Sequence, residues 1–150
     1  MKKILCAILT GLMLLSVTAC GNSEPTTVTL TMEQNGATID YKLDAKGDVV
    51  QTITQTSTVD CSAYTEEQLA VIEESAGQYA ASYEGIEGVT YSIETVDTNL
   101  VETIVIDATN SDSLQELSDL GLLPIEGSSS SISLEKTVEN LEALGMTVVE

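Results

Sequence analysis

Between residues 28 and 43, apolar side chains fall at every second position on both sides of an Asn-Gly pair. Val28, Leu30 and Met32 alternate with threonines. Ala37, Ile39, Tyr41 and Leu43 alternate with Thr38, Asp40 and Lys42. A period of two places one set of side chains on each face of a pleated strand, whereas a helix would scatter them. Asn35-Gly36 is the strongest short-range hairpin signal, because both residues tolerate the positive φ of a tight turn. The stretch therefore predicts two antiparallel strands with one apolar face, which other elements must cover.

The turn Asp44-Ala45-Lys46-Gly47-Asp48 leads to a third, threonine-rich strand over Val49–Val59. Asp44 and Asp48 lack the alternating acids of a calcium loop, so the segment reads as an ordinary hairpin turn. Thr65 opens a helix, with Gln68 three residues on completing a capping box and Glu66-Glu67 suiting its positive end. Leu69, Ile72, Ala76, Tyr79, Ala80 and Tyr83 then share one helical face, read as a core-facing seam, and Gly85 is expected to end the helix. Val89, Tyr91 and Ile93 alternate in a fourth strand, and Leu100–Asp107 makes a fifth, with Thr98-Asn99 between them.

Two short helices follow. One carries Leu114, Leu117 and Leu120 and is stopped by Gly121 and Pro124. The other is capped by Ser133, carries Leu134, Val138, Leu141 and Leu144, and ends at Gly145. The loop Ser128–Ser131 has no base near it in sequence, and Met146–Val149 can add a short final strand. The fold expected is α+β: an antiparallel sheet of about five strands with one face covered by about three helices, in a two-layer single domain.

The first twenty residues set the location. Met1-Lys2-Lys3 precedes an apolar run from Ile4 to Val17. That run is too short to span a bilayer, which takes roughly 20 apolar residues, and it reads as an export signal. Val17-Thr18-Ala19-Cys20, followed by Gly21, resembles the lipobox of bacterial lipoproteins. Small residues before the cysteine admit the backbone to a peptidase groove, and the thiol is the nucleophile for a diacylglyceryl thioether. The division expected is a signal peptide over residues 1–19, the lipidated Cys20 with a short polar tether over 20–26, and one domain over 27–150. Cys6 leaves with the signal. Cys61 stays as the one thiol without a lipid, read as buried and structural because there is no histidine to act as its base.

Charge removes whole classes of function. Beyond the signal, three lysines face 24 acids, a formal charge of −21, and arginine is absent. Nucleic-acid binding requires a basic surface, so it is excluded. Without histidine there is neither a Ser-His-Asp nor a Cys-His arrangement, and zinc loses its commonest nitrogen ligand. No cofactor or metal site is implied, and no catalytic residue stands out among so many carboxylates.

The order of segments is itself familiar. A lipobox, a threonine-rich meander, a helix and then Gly85-Ile86-Glu87-Gly88-Val89 lead into a hairpin closing on Thr103-Ile104-Val105-Ile106-Asp107. Together with Leu141-Glu142-Ala143-Leu144-Gly145 at the end, they resemble the YehR-like bacterial lipoproteins. That resemblance covers the mature chain and implies fold and location. The family's domain is of unknown function, so no active site is carried over.

The expected protein is extracytoplasmic, held on the bacterial cell membrane by lipid on Cys20. Its acidic head is expected to bind a protein or small-molecule partner in the envelope without enzymatic activity. The alternatives are a carboxylate-dependent envelope hydrolase and a weak divalent-cation binder.

Overall fold

Asn35 and Gly36 both adopt positive φ, 54° and 82°, forming the turn their residue types favour. They join β1 (Pro25–Gln34) to β2 (Ala37–Lys46), which pair over their full lengths. The computed structural model describes residues 24–123 and 131–149. In it, β3 (Val49–Asp60), α1 (Glu66–Ala81), β4 (Val89–Val96), β5 (Asn99–Asp107), α2 (Ser111–Asp119), α3 (Leu134–Ala143) and β6 (Thr147–Val149) follow in turn. The sheet order is β4-β5-β3-β2-β1-β6, with every neighbouring pair antiparallel. The domain is α+β, and the short final strand becomes a sixth, pairing with β1 at the edge opposite β4.

Register assigns the faces. Leu30 lies opposite Tyr41, Leu43 opposite Ile53, Ile53 opposite Ile106, and Ile106 opposite Val89. These side chains share the inner face, where Leu114 and Leu117 of α2, Leu141 of α3, Ile132, Tyr83 and Ile86 join them in one core. A bulge modifies the pleat: Asp44 pairs with Thr52 but Ala45 pairs with Val50, leaving Gln51 as the extra residue. Val50 is thereby fully buried, while its neighbour Val49 is 43% exposed.

The capping box of α1 forms as the sequence predicts. The Thr65 hydroxyl accepts from the Gln68 N–H at 3.3 Å, and the Gln68 side chain accepts from the Thr65 N–H at 3.0 Å. The seam expected to face the core is only partly covered. No residue of α1 is buried; Leu69, Ile72, Ala76 and Ala80 are half-buried and Tyr79 is exposed. Tyr83, beyond the helix end, enters the core instead.

Other boundaries also shift. The β4–β5 turn is Asp97-Thr98, with Val96 opposite Asn99, because Asp97 takes the positive φ of 56°. The first helix ends at Ala81 with Ser82 as its cap, and Gly85, at φ 86°, belongs to the turn that follows. Leu120 and Leu144 are the C-caps of α2 and α3, and both point to solvent. Thr137 takes the buried place on α3 and donates its hydroxyl to the Ser133 carbonyl at 2.7 Å. Strand β1 begins at Pro25, two residues ahead of the expected domain start, because its ladder with β2 continues that far. Residues 1–23, including the expected signal and Cys20, lie outside the described residues, as do Pro124 and most of the serine loop.

Two residues, Gly88 and Asp48, fix the end of the sheet that carries residue 25. Gly88 has φ 73°, and its carbonyl accepts from the Asp107 N–H at 2.8 Å. A Cβ there would lie 3.0 Å from that of Asp107. Gly88→Ala is therefore expected to destabilise the domain by about 1–2 kcal/mol, read as a lower urea midpoint with unchanged m-value.

Asp48 fastens α3 to the β2–β3 turn. Its carboxylate accepts from the Glu135 N–H at 2.9 Å and the Ser133 hydroxyl at 2.8 Å, and its carbonyl from the Leu134 N–H at 2.9 Å. The Glu135 N–H, then the Ser133 hydroxyl, hold this carboxyl below its usual pKa. A group whose pKa is depressed on folding stabilises above its unfolded pKa of about 3.9, and that contribution is lost as pH falls through the folded value. Asp48→Ala should cost about 1 kcal/mol at neutral pH, as for other helix-capping acids. The gap between variant and parent midpoints should narrow below pH 4, measured by urea titration at each pH.

Candidate functional site

The inner face is not uniformly apolar. Along β5 the inward positions read Leu100, Glu102, Ile104 and Ile106, and along β3 they read Ile53, Gln55, Ser57 and Val59. Gln55 and Glu102 thus stand among core positions, beneath the loosely seated α1. Tyr41 donates its hydroxyl to Gln55 at 2.7 Å. Tyr91 donates to the Ala76 carbonyl at 3.3 Å and also lies against the Glu102 carboxylate. Tyr83 donates to the Tyr79 hydroxyl at 3.1 Å.

The rings of Tyr83 and Tyr91 stack with centroids 5.8 Å apart, and Tyr79 meets Tyr83 edge-on at 5.3 Å. Burial pushes the phenols of Tyr41, Tyr83 and Tyr91 well above their ordinary range, with the Glu102 carboxylate adding to the effect on Tyr91. All three stay protonated as hydrogen-bond donors. The alternation that places Glu102 inward was present in the sequence: a single acid interrupts the apolar positions of β5.

The outer face is open along all six strands. Register aligns Thr147, Thr31, Asp40, Thr56, Thr103 and Ser92 in one row across the sheet. A second row holds Val149, Thr29, Lys42, Thr54, Val105 and Thr90. Neighbouring strands lie about 4.8 Å apart, so each row presents hydroxyls at a regular spacing, with Asp40 in the first row and Lys42 in the second. Among the described residues no helix covers them, because α2 and α3 feed the inner core and α1 meets its rim through Tyr79 against Tyr83 and Tyr91. Thr27 donates to Asp44 at 2.6 Å and Lys42 contacts the same carboxylate at 3.0 Å. The Thr27 hydroxyl, then Lys42, hold Asp44 below the usual carboxylate pKa.

The remaining sequence candidates are placed individually. Asp44 and Asp48 do not converge: one serves the outer face, the other caps α3. Cys61 is buried, its thiol 3.5 Å from the Val59 carbonyl. Cys20 lies outside the described residues. No group of three or more acidic or thiol side chains among the described residues is arranged to hold a metal ion. A depression of about 410 Å³ at the β1–β2 tip is lined by Glu33, Gln34, Asn35, Gly36, Ala37 and Thr38. All six belong to one hairpin, so no second element closes over it.

A family model described as a protein of unknown function, DUF1307, matches residues 26–147, from the second residue of β1 to the first of β6. This chain belongs to the DUF1307 family. The chain is also 27% identical over 145 residues to the uncharacterized lipoprotein Lmo0207 of Listeria monocytogenes serovar 1/2a, covering 97% of this chain and 94% of that protein. Among solved structures, the NMR structure of Escherichia coli YehR matches with a TM-score of 0.64 at 23% identity, over 85% of this chain and 92% of that one. An NMR structure of a protein from Streptococcus pneumoniae TIGR4 matches at 0.53 and 14%, over 99% and 96%. Family membership and the likeness to YehR agree with the resemblance read from the sequence, and they bring no catalytic assignment.

Glu102 offers a test of why the inner face is polar here. Glu102→Leu restores the apolar alternation of β5, and Tyr91 keeps its bond to the Ala76 carbonyl. The variant is expected to gain up to about 1 kcal/mol in stability, seen as a higher urea midpoint, because a half-buried carboxylate facing phenols gives way to apolar surface. A gain would mark Glu102 as held at the expense of stability, as residues kept for binding are.

Proposed function

We propose that this chain is an extracytoplasmic lipoprotein, anchored to the bacterial membrane by lipid on Cys20, whose domain is a non-enzymatic binding module. The open outer face of the sheet is its contact surface. The observation that carries the binding role is the six-strand row from Thr147 to Ser92, which no described helix covers and which has Glu33 and Glu94 in the adjoining row. Among the described residues every carboxyl group with a perturbed pKa, namely Asp44, Asp48, Asp60 and Asp107, is shifted downward by hydrogen bonds. Such groups accept hydrogen bonds and attract cations; a general acid needs the opposite shift. Negative charge on the face suits a partner carrying positive charge, and would speed its encounter more than it tightens the complex.

The anchoring role is supported by the Val17-Thr18-Ala19-Cys20 sequence. The alignment with a relative named a lipoprotein covers 97% of this chain, so it runs through that segment. Two acyl chains hold stably where one does not, since each buried methylene contributes roughly 0.8 kcal/mol.

Cys20→Ser should move the protein from the membrane fraction to the soluble or unprocessed pool and abolish fatty-acid labelling. A photo-crosslinking residue at Thr56 should give adducts in the envelope that diminish with added salt, while one at Val71 on α1 should not. Label retained in Cys20→Ser would refute the anchor, and equal adducts at both positions would refute the contact surface.

A further inference from the structure

The tether and the register of β1 together fix how the domain stands on its membrane. Cys20 and Glu24 are four residues apart, so even fully extended chain separates them by no more than about 14 Å. Strand β1 starts at Pro25 and runs ten residues to Gln34, roughly 30 Å along the sheet. The anchor thus holds one end of the sheet on a lead shorter than strand β1 itself.

That end is built from a small set of residues. Pro25 lies opposite Lys46, the Glu24 carbonyl accepts from the Gly47 N–H at 3.5 Å, and Asp48 binds the first turn of α3. Lys136, in that turn, contributes to the low pKa of Asp48. The opposite end carries the Asn35-Gly36 and Asp97-Thr98 turns and the close of β3 at Asp60, opposite Asn99.

Charge is divided along the same axis. Lys46 and Lys136 lie at the tethered end beside Glu24, Asp48 and Glu135, so those five side chains carry a formal charge of −1, and Lys42 lies four residues from that end along β2. Glu33, Asp60, Glu66, Glu67, Glu94 and Asp97 crowd the far end, which has no lysine. Anionic head groups repel the far end most, and at physiological salt this acts within about 8 Å of the surface, the distance at which a domain lying flat would feel it.

We infer that the anchored domain stands on end. The surface formed by Glu24–Pro25, the Lys46-Gly47-Asp48 turn and Ser133–Lys136 faces the phospholipid head groups, and the acidic Asn35, Asp60 and Asp97 end is held away from them. The inference rests on the lipid anchor at Cys20. It leaves the outer face of the sheet perpendicular to the membrane and open to a partner from the side.

The test uses the full lipidated chain in vesicles of phosphatidylcholine with phosphatidylglycerol, carrying a nitroxide quencher on the head groups. Thr26→Cys and Gln34→Cys, both at exposed positions of β1, are each labelled with a fluorophore in a Cys61→Ser background. Quenching is expected to be several-fold stronger at position 26 than at 34, and the ratio should fall when Lys46→Glu and Lys136→Glu are introduced together. Equal quenching at the two positions, with the protein floating with the vesicles, would overturn the orientation. A ratio unmoved by the two lysine changes would overturn its electrostatic cause. Failure of the unsubstituted lipidated chain to float with vesicles would instead refute the anchor itself, so the two readings fail separately.

Discussion

Strand β3 is the member on which the rest depends. It pairs with β2 from Val49 to Val59 on one side and with β5 from Thr52 to Asp60 on the other. Its two neighbours come from different parts of the chain, so its pleat sets a common inner and outer face for the β1–β2 hairpin and for the β4–β5 hairpin. A slip of one residue would turn Ile53 outward and Thr54 inward, reversing every apolar pairing in the sheet. The bulge at Gln51 breaks the pleat, and it brings Val50 into the core at the foot of α3. The Val50 N–H donates to the Ile132 carbonyl at 2.9 Å, so the same irregularity seats the segment leading into that helix.

With so few cations, the chain settles its acids by other means. Lys42–Asp44 is the one lysine–carboxylate contact within 4 Å among the described residues. Elsewhere neutral donors serve: Ser62 for Asp60, Thr109 for Asp107, and the N-terminal turn of α3 for Asp48. Each bond lowers the carboxyl pKa, so these acids stabilise the fold in the ionised state and cease to do so in acid. Mutual repulsion among the others opposes the compact state, and the domain places most of them on exposed positions where salt screens them.

The two halves of the helical layer are held differently. Helices α2 and α3 bury Leu114, Leu117, Thr137 and Leu141 against the sheet, whereas α1 buries none of its residues and meets the sheet through half-covered alanines and tyrosine hydroxyls. Elements with little buried apolar surface open locally at lower free energy. The polar strip of Gln55 and Glu102 therefore lies under the part of the domain most easily displaced.

Much of this architecture was legible in the residues alone. Alternation over 28–43, the Asn35-Gly36 turn, the Thr65–Gln68 capping box and the Ser133 cap each report a local conformational preference, and local preferences act wherever the chain goes. The sequence likewise determined the charge, the absence of histidine and the resemblance of Val17-Thr18-Ala19-Cys20 to a lipobox. Tertiary structure decided what depends on partners distant in sequence. It chose Val50 over Val49 for the core, because the Gln51 bulge answers to strand pairing. It left the α1 seam half-covered, because one face of a helix becomes core only if enough sheet lies opposite it. It also gathered threonines from five strands and a serine from β4 into the open face, since register across six strands comes from pairings up to 120 residues apart, Thr29 with Val149. No periodicity within one segment encodes that distance.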